Sequence, residues 1–338
     1  MQAKIINDQN TWDEFVISCP SYTFFQGYLW GEFSQKRGEK IFKFGFYDDS
    51  KLIGVALLCK VFARRGTYLF CPHGPIFKKE DSKYWKFFFE FVKNLGRQEK
   101  VVFVRVSPVS RKDHKLEALF KKANFLNAPI HMSAESAWIL NLKNKSEEEI
   151  LSEMRKTTRY EIKKAEKENH QVIKSTDAKD LKIFLQLYHQ LINRQNFTPF
   201  SDSFLTDEFS TFVKNGNAML FLEKYKNQFV ASLMIIFYGR GAYYHQGATK
   251  PLRGSSVSYL AQWEAIKEAK SRGLEFYNFW GIAPNDNSKH PWFGLSLFKK
   301  GFGGEQVDFI HAQDFPINWP EYLPTYIFET FRRIKRGY

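Results

Sequence analysis

Residues 218–239 read AMLFLEKYKNQFVASLMIIFYG, two runs of β-branched, aromatic and other apolar residues on either side of a turn signal at 226–227. Residues 41–61, IFKFGFYDDSKLIGVALLCKV, have the same form around a turn signal at 48–50. Each pattern is typical of a β-hairpin. Two such hairpins far apart in the chain indicate that one structural module occurs twice.

The runs that follow the two hairpins support this repeat. Each hairpin is followed by a strand-like, a helix-like and a second strand-like run, at 67–77, 81–96 and 100–108, and again at 242–248, 255–273 and 274–282. A chain of 338 residues also exceeds the usual size of one domain. The sequence therefore predicts a mixed α/β fold with two tandem domains, at 1–145 and 146–338.

Glycines and serines suggest where the two module helices begin and end. Gly96 and Gly273 follow the helix-like runs, and glycine is favoured just after a helix, where φ is often positive. Ser255 and Ser256 precede the second helix and are candidate N-cap residues.

The composition is that of a folded protein with a strong basic excess. Hydrophobic residues make up 43% and the formal net charge is +14, a field that attracts nucleic acid, anionic lipid or phosphorylated molecules. The longest apolar run, at 230–238, is shorter than the roughly 20 residues of a spanning helix. The first residues lack the apolar core of a signal peptide, so a cytoplasmic protein is expected.

The three cysteines, Cys19, Cys59 and Cys71, lack the spacing of metal ligands. Two of them lie in apolar runs, where a buried thiol is the ordinary finding. Neither a disulfide, nor zinc, nor another metal is expected.

A basic segment, 146–170, is predicted as a helix that links the two modules. Ser146 followed by acidic residues is typical of a capped helix start. Arg155, Arg159 and Lys163 are four residues apart and so share one face, which favours a phosphate-binding or tRNA-binding ridge, with a solvated face as the alternative. The segment 315–338 is predicted as a C-terminal helix or tail, with its basic cluster in solvent.

Several short motifs occur in an order that resembles the FemABX family of peptidoglycan aminoacyltransferases over nearly the whole chain. They are QGYLWGEF (26–33), PHGPIF (72–77), RKTTRYEIKKAEK (155–167), YYHQGAT (243–249), YLAQWEAIKEAKSRG (259–273), YNFWGI (277–282) and LFKKGFGGE (297–305). The resemblance implies two GNAT-like acyltransferase domains, in agreement with the repeat. No heptad pattern is sustained between Lys163 and Ala218, so a compact member without the coiled-coil arm is expected.

The resemblance also implies an activity. Such an enzyme moves an amino acid from aminoacyl-tRNA to the stem-peptide amine of a peptidoglycan precursor, either lipid II or UDP-MurNAc-pentapeptide. Aminoacyl-tRNA is then a co-substrate and no further cofactor is required. We also expect peripheral contact with the inner face of the membrane, and a protein that is a monomer or a weak dimer.

Three residues are assigned to the reaction through the resemblance. Lys299 matches the lysine placed at the developing oxyanion, where one donor is commonly worth about 3 to 4 kcal/mol. Phe298 matches an aromatic residue that contacts the acylated RNA end, and it could stack on the terminal adenine. Tyr244 matches a tyrosine that lines the substrate channel.

The expected diphosphate contacts are altered in this chain. The family places a lysine after Trp30, where this sequence has Ser34, followed by Lys36 and Arg37. It also places an arginine before the first strand of the second domain, where Pro199 stands here. Trp30, Lys36 and Arg37 therefore remain the candidates for precursor binding.

The general base is left open. Some relatives carry an acid where this chain has Ser107, which excludes a carboxylate there. Asp202 and Asp286 are unranked alternatives, as is proton removal by substrate or solvent. His290 has the right intrinsic pKa, near 6.5, for such a role.

Two other functions compete with this one. An N-acyltransferase that uses acyl-CoA would hold the pyrophosphate at a glycine-containing turn before a helix, and Arg253 and Gly254 match that pattern poorly. A non-catalytic nucleic-acid-binding protein on the same scaffold would not need Lys299.

Overall fold

The computed structural model describes residues 1–64, 66–130, 132–195, 199–252, 256–284 and 288–336. They fall into two compact units. The first comprises Met1–Ser136, Ala283–Phe293 and Val307–Tyr338, and the second comprises Ala137–Ile282 and Gly294–Gln306.

The elements of the amino-terminal part are, in chain order, β1 Gln2–Ile5, α1 Gln9–Ile17, α2 Tyr28–Lys36, β2 Lys40–Asp48, β3 Lys51–Ala63, β4 Gly66–Pro72, β5 Ile76–Phe77, α3 Ser82–Gln98, β6 Phe103–Ser107, α4 His114–Lys122 and β7 Leu126–Asn127. The chain later returns to this unit with β15 Gln313–Pro316 and α11 Trp319–Arg336.

The elements between them are β8 Ser136–Asn141, α5 Glu147–Glu153, α6 Lys156–Lys167, β9 Gln171–Ser175, α7 Leu181–Arg194, α8 Asp202–Val213, β10 Ala218–Tyr225, β11 Gln228–Tyr238, β12 Gly241–Thr249, α9 Tyr259–Ser271, β13 Phe276–Gly281, α10 Phe293–Lys300 and β14 Glu305–Asp308. Short 3-10 helices occupy Phe24–Gln26 and Ala178–Asp180.

The first unit is built on a sheet with strand order β1-β2-β3-β4-β6-β15-β7, and β5 pairs with β3. Only β4 and β6 run parallel among the described strand pairs of this unit. Helix α3 buries Trp85, Phe88, Phe89 and Val92 in the core of this unit. They stand at positions i, i+3, i+4 and i+7, which places them on one face of the helix.

The second unit is built on a sheet with strand order β14-β8-β13-β12-β11-β10-β9. Strands β12 and β13 are parallel. Helix α9 packs on this sheet with Leu260, Ala261, Trp263 and Ile266, together with strand residues such as Leu233.

The repeat predicted from the sequence is confirmed. In both units an antiparallel hairpin is followed by a third strand, a helix and a strand parallel to the third, namely β2, β3, β4, α3 and β6, and then β10, β11, β12, α9 and β13. The apolar runs form the strands because branched and aromatic side chains pack well on a pleated surface.

The helix ends predicted from glycine and serine need two corrections. Gly273 has the expected positive φ of 72°, but Gly96 lies inside α3, and Lys100 has the positive φ after that helix, at 52°. A Cβ at position 96 would lie 2.9 Å from a methyl group of Val104, so this glycine allows close helix-to-strand packing instead. Helix α9 begins after Ser258, not after Ser256, and Ser255 lies outside the described residues.

The carboxyl-terminal segment belongs to the first unit, whereas the sequence-based boundaries grouped it with residues 146–338. Strand β15 pairs with β6, and buried Arg105 donates two hydrogen bonds of 2.7 Å to Asp314 on β15. Arg105 also contacts Glu329, and Tyr322 donates to Asp314 at 2.9 Å. These carboxylates raise the pKa of the Arg105 guanidinium. An ion pair between residues so distant in sequence leaves no local signal.

No helix within the described ranges is long and apolar enough to cross a bilayer.

Candidate active site

Lys299 lies in the last turn of α10 and is 95% buried, with 5% of its surface exposed. Its Nζ donates a hydrogen bond of 2.6 Å to the carbonyl oxygen of Gly281, at the end of β13. Burial lowers the pKa of this ammonium group to about 7, because the charged form loses its hydration. A buried lysine that changes charge near neutral pH can both donate and accept a proton.

Tyr244 lies beside this lysine. Lys299 Nζ is 5.7 Å from the centroid of the Tyr244 ring, a cation–π distance. The tyrosine packs against the core of the second unit, and burial raises its pKa to about 12, so its hydroxyl keeps its proton. The structure therefore brings together two of the residues assigned to the reaction.

The backbone of β12 is shaped to hold Tyr244. Met234 of β11 pairs with Gln246 and Ile235 pairs with Tyr244, so β12 carries one extra residue in a β-bulge. A Cβ on Gly247 would lie 2.0 Å from the Tyr244 hydroxyl oxygen. Glycine is therefore required at position 247 for the tyrosine ring to occupy its place.

The end of β13 is irregular in a way that the sequence did not predict. Trp280 has a φ of +66°, which is unusual for a bulky residue, and its N–H donates at 2.8 Å to the side chain of Asn278. The ladder with β8 is interrupted between Asn278 and Gly281, next to the carbonyl that accepts from Lys299. Strained backbone of this kind is often found at functional sites.

The two parallel strands of the second unit separate at this site. They pair only over Gly241–Tyr243 and Phe276–Asn278, although β12 continues to Thr249 and β13 to Gly281. In the first unit the parallel strands β4 and β6 pair over five residues, to the end of β6. Ligands of open α/β sheets bind at the carboxyl ends of strands, so the opening beside Tyr244 is the candidate active site.

Phe298 precedes the buried lysine and is only partly buried. Its ring lies 4.9 Å from that of Tyr259 and 5.2 Å from that of Phe302, both in edge-to-face geometry. These neighbours fix the ring, while part of its surface stays accessible. Stacking on an RNA base remains a prediction.

The basic linking segment forms two helices, α5 and α6, instead of the single helix predicted over 146–170. The break is at Met154 and Arg155, whose ψ angles of 149° and 141° are extended. Arg159 donates to the carbonyl oxygens of Ser152, at 2.8 Å, and of Met154, and so satisfies the end of α5.

Arg155 connects α6 to the helix that carries Lys299. Its guanidinium donates to the carbonyl oxygen of Leu297, and its backbone N–H donates at 2.9 Å to the carbonyl oxygen of Gly301. Both acceptors belong to the carboxyl end of α10 or the turn after it. Arg155 and Arg159 thus donate hydrogen bonds to carbonyl groups near helix ends. Lys163 is exposed on the same helix. Phosphate binding by these three residues stays a prediction.

The predicted precursor-binding residues lie in the first unit, on α2. Trp30 is partly buried, with its ring 4.3 Å from Phe25 and 4.9 Å from Phe33. Lys36 and Arg37 are exposed at the carboxyl end of the helix. Their role in binding a diphosphate stays a prediction.

The candidate bases have different surroundings. Asp202 is at the start of α8 and pairs with His189 at 2.8 Å. His290 Nδ1 accepts from the N–H of Trp292 at 3.1 Å, and burial lowers the pKa of His290. Asp286 lies outside the described residues.

Glu223 on β10 is a buried carboxylate that the sequence reasoning missed. It accepts a hydrogen bond of 2.9 Å from the N–H of Ser258, at the start of α9, and one of 2.6 Å from His170. Burial raises the pKa of Glu223. The amino terminus of α9 is therefore already occupied by a protein carboxylate. The acidic residue directly after the apolar run at 218–222 was the available signal.

Among the described residues, no group of three or more histidine, cysteine, aspartate or glutamate side chains could hold a metal ion.

Comparison with known proteins agrees with this fold. Residues 152–290 match the family model described as an acetyltransferase (GNAT) domain, and residues 8–124 match that of the FemAB family. The structure titled "Crystal structure of FemX" superposes with a TM-score of 0.83 at 18% identity, covering 96% of this chain and 99% of that one. A tandem GNAT protein from the clavulanic acid biosynthesis pathway gives 0.58 at 8% identity, covering 93% and 98%.

The architecture defines a protein with two tandem GNAT-like domains. A curated relative, aminoacyltransferase FemA of Staphylococcus aureus strain MW2, is 34% identical over 80 residues, which is 24% of this chain and 19% of that protein. The chain thus matches about a fifth of the length of such curated relatives. Residues 8–124 thus resemble the FemAB family, and the fold of nearly the whole chain resembles that of FemX.

Proposed function

We propose that the chain is an aminoacyltransferase that moves an amino acid from aminoacyl-tRNA to the stem-peptide amine of a peptidoglycan precursor. Its acceptor is lipid II or UDP-MurNAc-pentapeptide, and we place the reaction on the cytoplasmic side of the membrane. The match of residues 8–124 to the FemAB family model and the name of the FemA relative support the class of reaction. The observation that carries the proposal is the buried Lys299 beside Tyr244, at the opening between β12 and β13.

The proposed reaction has two bond changes. The acceptor amine attacks the ester carbonyl, a C–N bond forms, and the C–O bond to the terminal ribose breaks. The amine loses a proton and the ribose oxygen gains one, so no other reactant is required. Protonated Lys299 stabilises the oxyanion of the tetrahedral intermediate, which is worth about 3 to 4 kcal/mol for one such donor.

The pKa of about 7 suits Lys299 to this reaction. A substrate amine with an ordinary lysine pKa of about 10.4 is mostly protonated at neutral pH. A lysine that is partly neutral there can take up the proton that the amine releases, and in its charged form it assists the oxyanion. This role removes the need for a carboxylate at Ser107.

The acyl-CoA alternative is disfavoured by Glu223. In that alternative a pyrophosphate would bind at the amino terminus of α9, where the Glu223 carboxylate accepts the Ser258 N–H at 2.9 Å. A second anion there would meet a like charge in a buried place. The other residues of that alternative, Arg253 and Gly254, lie outside the described residues.

The donor test incubates the protein with either labelled aminoacyl-tRNA or acyl-CoA and each of the two precursors. Mass spectrometry of the product should show one added aminoacyl residue on the stem peptide with aminoacyl-tRNA, and none with acyl-CoA. Transfer from acyl-CoA alone would overturn the proposal. Tight tRNA binding without transfer, unchanged in Lys299→Ala, would favour the non-catalytic alternative.

A further inference from the structure

Helix α11 carries an exposed apolar stripe. Trp319, Leu323, Ile327, Phe331 and Ile334 have exposed fractions of 55%, 51%, 46%, 69% and 65%. Successive members are three or four residues apart, so they lie along one side of the helix. A continuous exposed apolar surface of this kind marks a site of interaction with another protein or with a membrane.

The opposite side of α11 attaches the helix to the first unit. Tyr322 is buried in a small cluster with Phe103, and Tyr326 packs against that cluster. Glu329 accepts from buried Arg105 at 2.7 Å, and Thr325 is 95% buried, with 5% exposed. The attached side of α11 thus combines aromatic rings with polar groups, while the outward side carries an apolar stripe where polar residues are usual.

Cations border the apolar stripe at the carboxyl end of the helix. At about 100° per residue, Arg333 and Lys335 fall on opposite sides of the stripe, and Arg332 lies behind it. Within the helix the acids are Glu321, in the first turn, and Glu329, which pairs with Arg105. The outward surface of the last two turns therefore combines large apolar side chains with positive charge.

We propose that α11 lies on the surface of an anionic phospholipid bilayer. Its apolar stripe enters the boundary between headgroups and acyl chains, and its cations contact lipid phosphates. Trp319 suits the level of the headgroups, where its ring and N–H meet both environments. This inference deepens the proposed function and rests on it, because the proposed function supplies the membrane face at which the precursor is found.

A second copy of the chain is the competing occupant of this surface. In a two-fold pair the same patch faces itself, so the apolar stripe would be covered. In such a pair, Arg333 and Lys335 of one copy would approach the same cations of the other copy and repel them. Anionic lipid would instead neutralise these positive charges. The net charge of +14 acts in the same direction.

The test measures binding of the full chain to phosphatidylcholine vesicles with and without about 30 mol% phosphatidylglycerol, the anionic content being chosen to give a strong surface potential. We expect binding to the anionic vesicles only. Phe331→Ser/Ile334→Ser should weaken that binding at least about tenfold, because partition scales with the apolar area inserted. The matched control Ile5→Ser/Phe62→Ser changes residues that are 64% and 65% exposed in the same unit, and it should bind like the unaltered protein.

A second variant, Arg333→Gln/Lys335→Gln, keeps the apolar stripe and should lose the preference for anionic lipid. Circular dichroism should show that all variants are folded. The proposal is overturned if the unaltered protein ignores anionic vesicles or if Phe331→Ser/Ile334→Ser binds them equally well. It is also overturned if Phe331→Ser/Ile334→Ser changes the oligomeric state of the protein and leaves its vesicle binding unchanged. Vesicle binding is read without substrates, so loss of the proposed transferase activity would leave this result unaffected.

Discussion

The side chain of Lys299 donates a 2.6 Å hydrogen bond to the carbonyl oxygen of Gly281, and this bond joins helix α10 to the end of β13. The lysine is 95% buried, with 5% exposed, so its positive charge is held by a neutral acceptor and the Tyr244 ring. Such a site costs stability when the lysine is protonated. In the proposed function, the loss of stability caused by burying Lys299 is retained because the buried lysine serves catalysis.

The first prediction concerns the pH dependence of stability. The folded-state pKa of Lys299, about 7, lies below its unfolded value of about 10.4, so between these values the unfolded chain binds more protons. The contribution of Lys299 to the free energy of unfolding therefore rises between pH 7 and about pH 10.4, and it is lowest below pH 7. Relative to Lys299→Met, the unaltered protein should gain up to about 1.4 kcal/mol per pH unit between pH 8 and 9, measured by urea unfolding. Parallel pH profiles for the two proteins would show that the lysine titrates normally.

The second prediction concerns the space for the Tyr244 ring. Gly247→Ala places a methyl group 2.0 Å from the present position of the tyrosine hydroxyl, so the ring must move away from Lys299. Transfer should fall at least about tenfold and stability by about 1 to 3 kcal/mol, as in other overpacked sites. Gly294→Ala is the control, because nothing lies within 4 Å of its added methyl group. Tyr244→Ala should relieve the stability loss of Gly247→Ala in the double variant, and additive losses would contradict the steric explanation.

The third prediction separates positioning from phosphate binding on α6. Arg155→Ala removes the bond to the Leu297 carbonyl and should loosen α10, lowering kcat more than it raises KM for aminoacyl-tRNA. It should also lower the free energy of unfolding by about 1 to 3 kcal/mol. Lys163→Ala, on the same face but exposed, should leave kcat and stability unchanged.

Salt dependence completes this comparison. If Lys163 contacts a tRNA phosphate, its removal reduces the slope of log binding constant against log salt by about 0.7 to 0.9. An Arg155→Ala variant with normal kcat and a reduced salt slope would assign that arginine to phosphate binding instead.

The fourth prediction concerns the buried carboxylate at the start of α9. Glu223→Ala leaves His170 and the Ser258 N–H without their acceptor, and it should destabilise the protein by about 3 to 5 kcal/mol. Thermal unfolding measures this loss, and the exposed Glu166→Ala should change it by less than about 0.5 kcal/mol. A small effect at Glu223 would mean that the amino terminus of α9 does not depend on it.

Local patterns predicted the fold, because hairpins, turns and helices are determined by neighbouring residues. The runs at 41–61 and 218–239 formed the hairpins expected of them. The pairing of β15 with β6 and the Arg105–Asp314 ion pair were not predictable, since they join residues more than 200 positions apart.

The site was predictable in its residue types but not in its geometry. Lys299 and Tyr244 were assigned through family resemblance, and the structure places them 5.7 Å apart, between ammonium and ring centre. The positive φ of Trp280 and the helix-end role of Arg155 depend on packing. Neither residue type favours these roles, so the sequence contains no sign of them.

The most direct test of the central claim is the single-turnover rate of aminoacyl transfer to the precursor as a function of pH, in the unaltered protein, Lys299→Met and Lys299→Arg. We expect the unaltered rate to depend on a group with a pKa near 7, and this dependence to disappear in both variants. Their rates should fall at least about 10²-fold, as for loss of an oxyanion donor, with folding retained. Rates within about threefold of the unaltered protein, with the same pH profile, would contradict a catalytic role for Lys299.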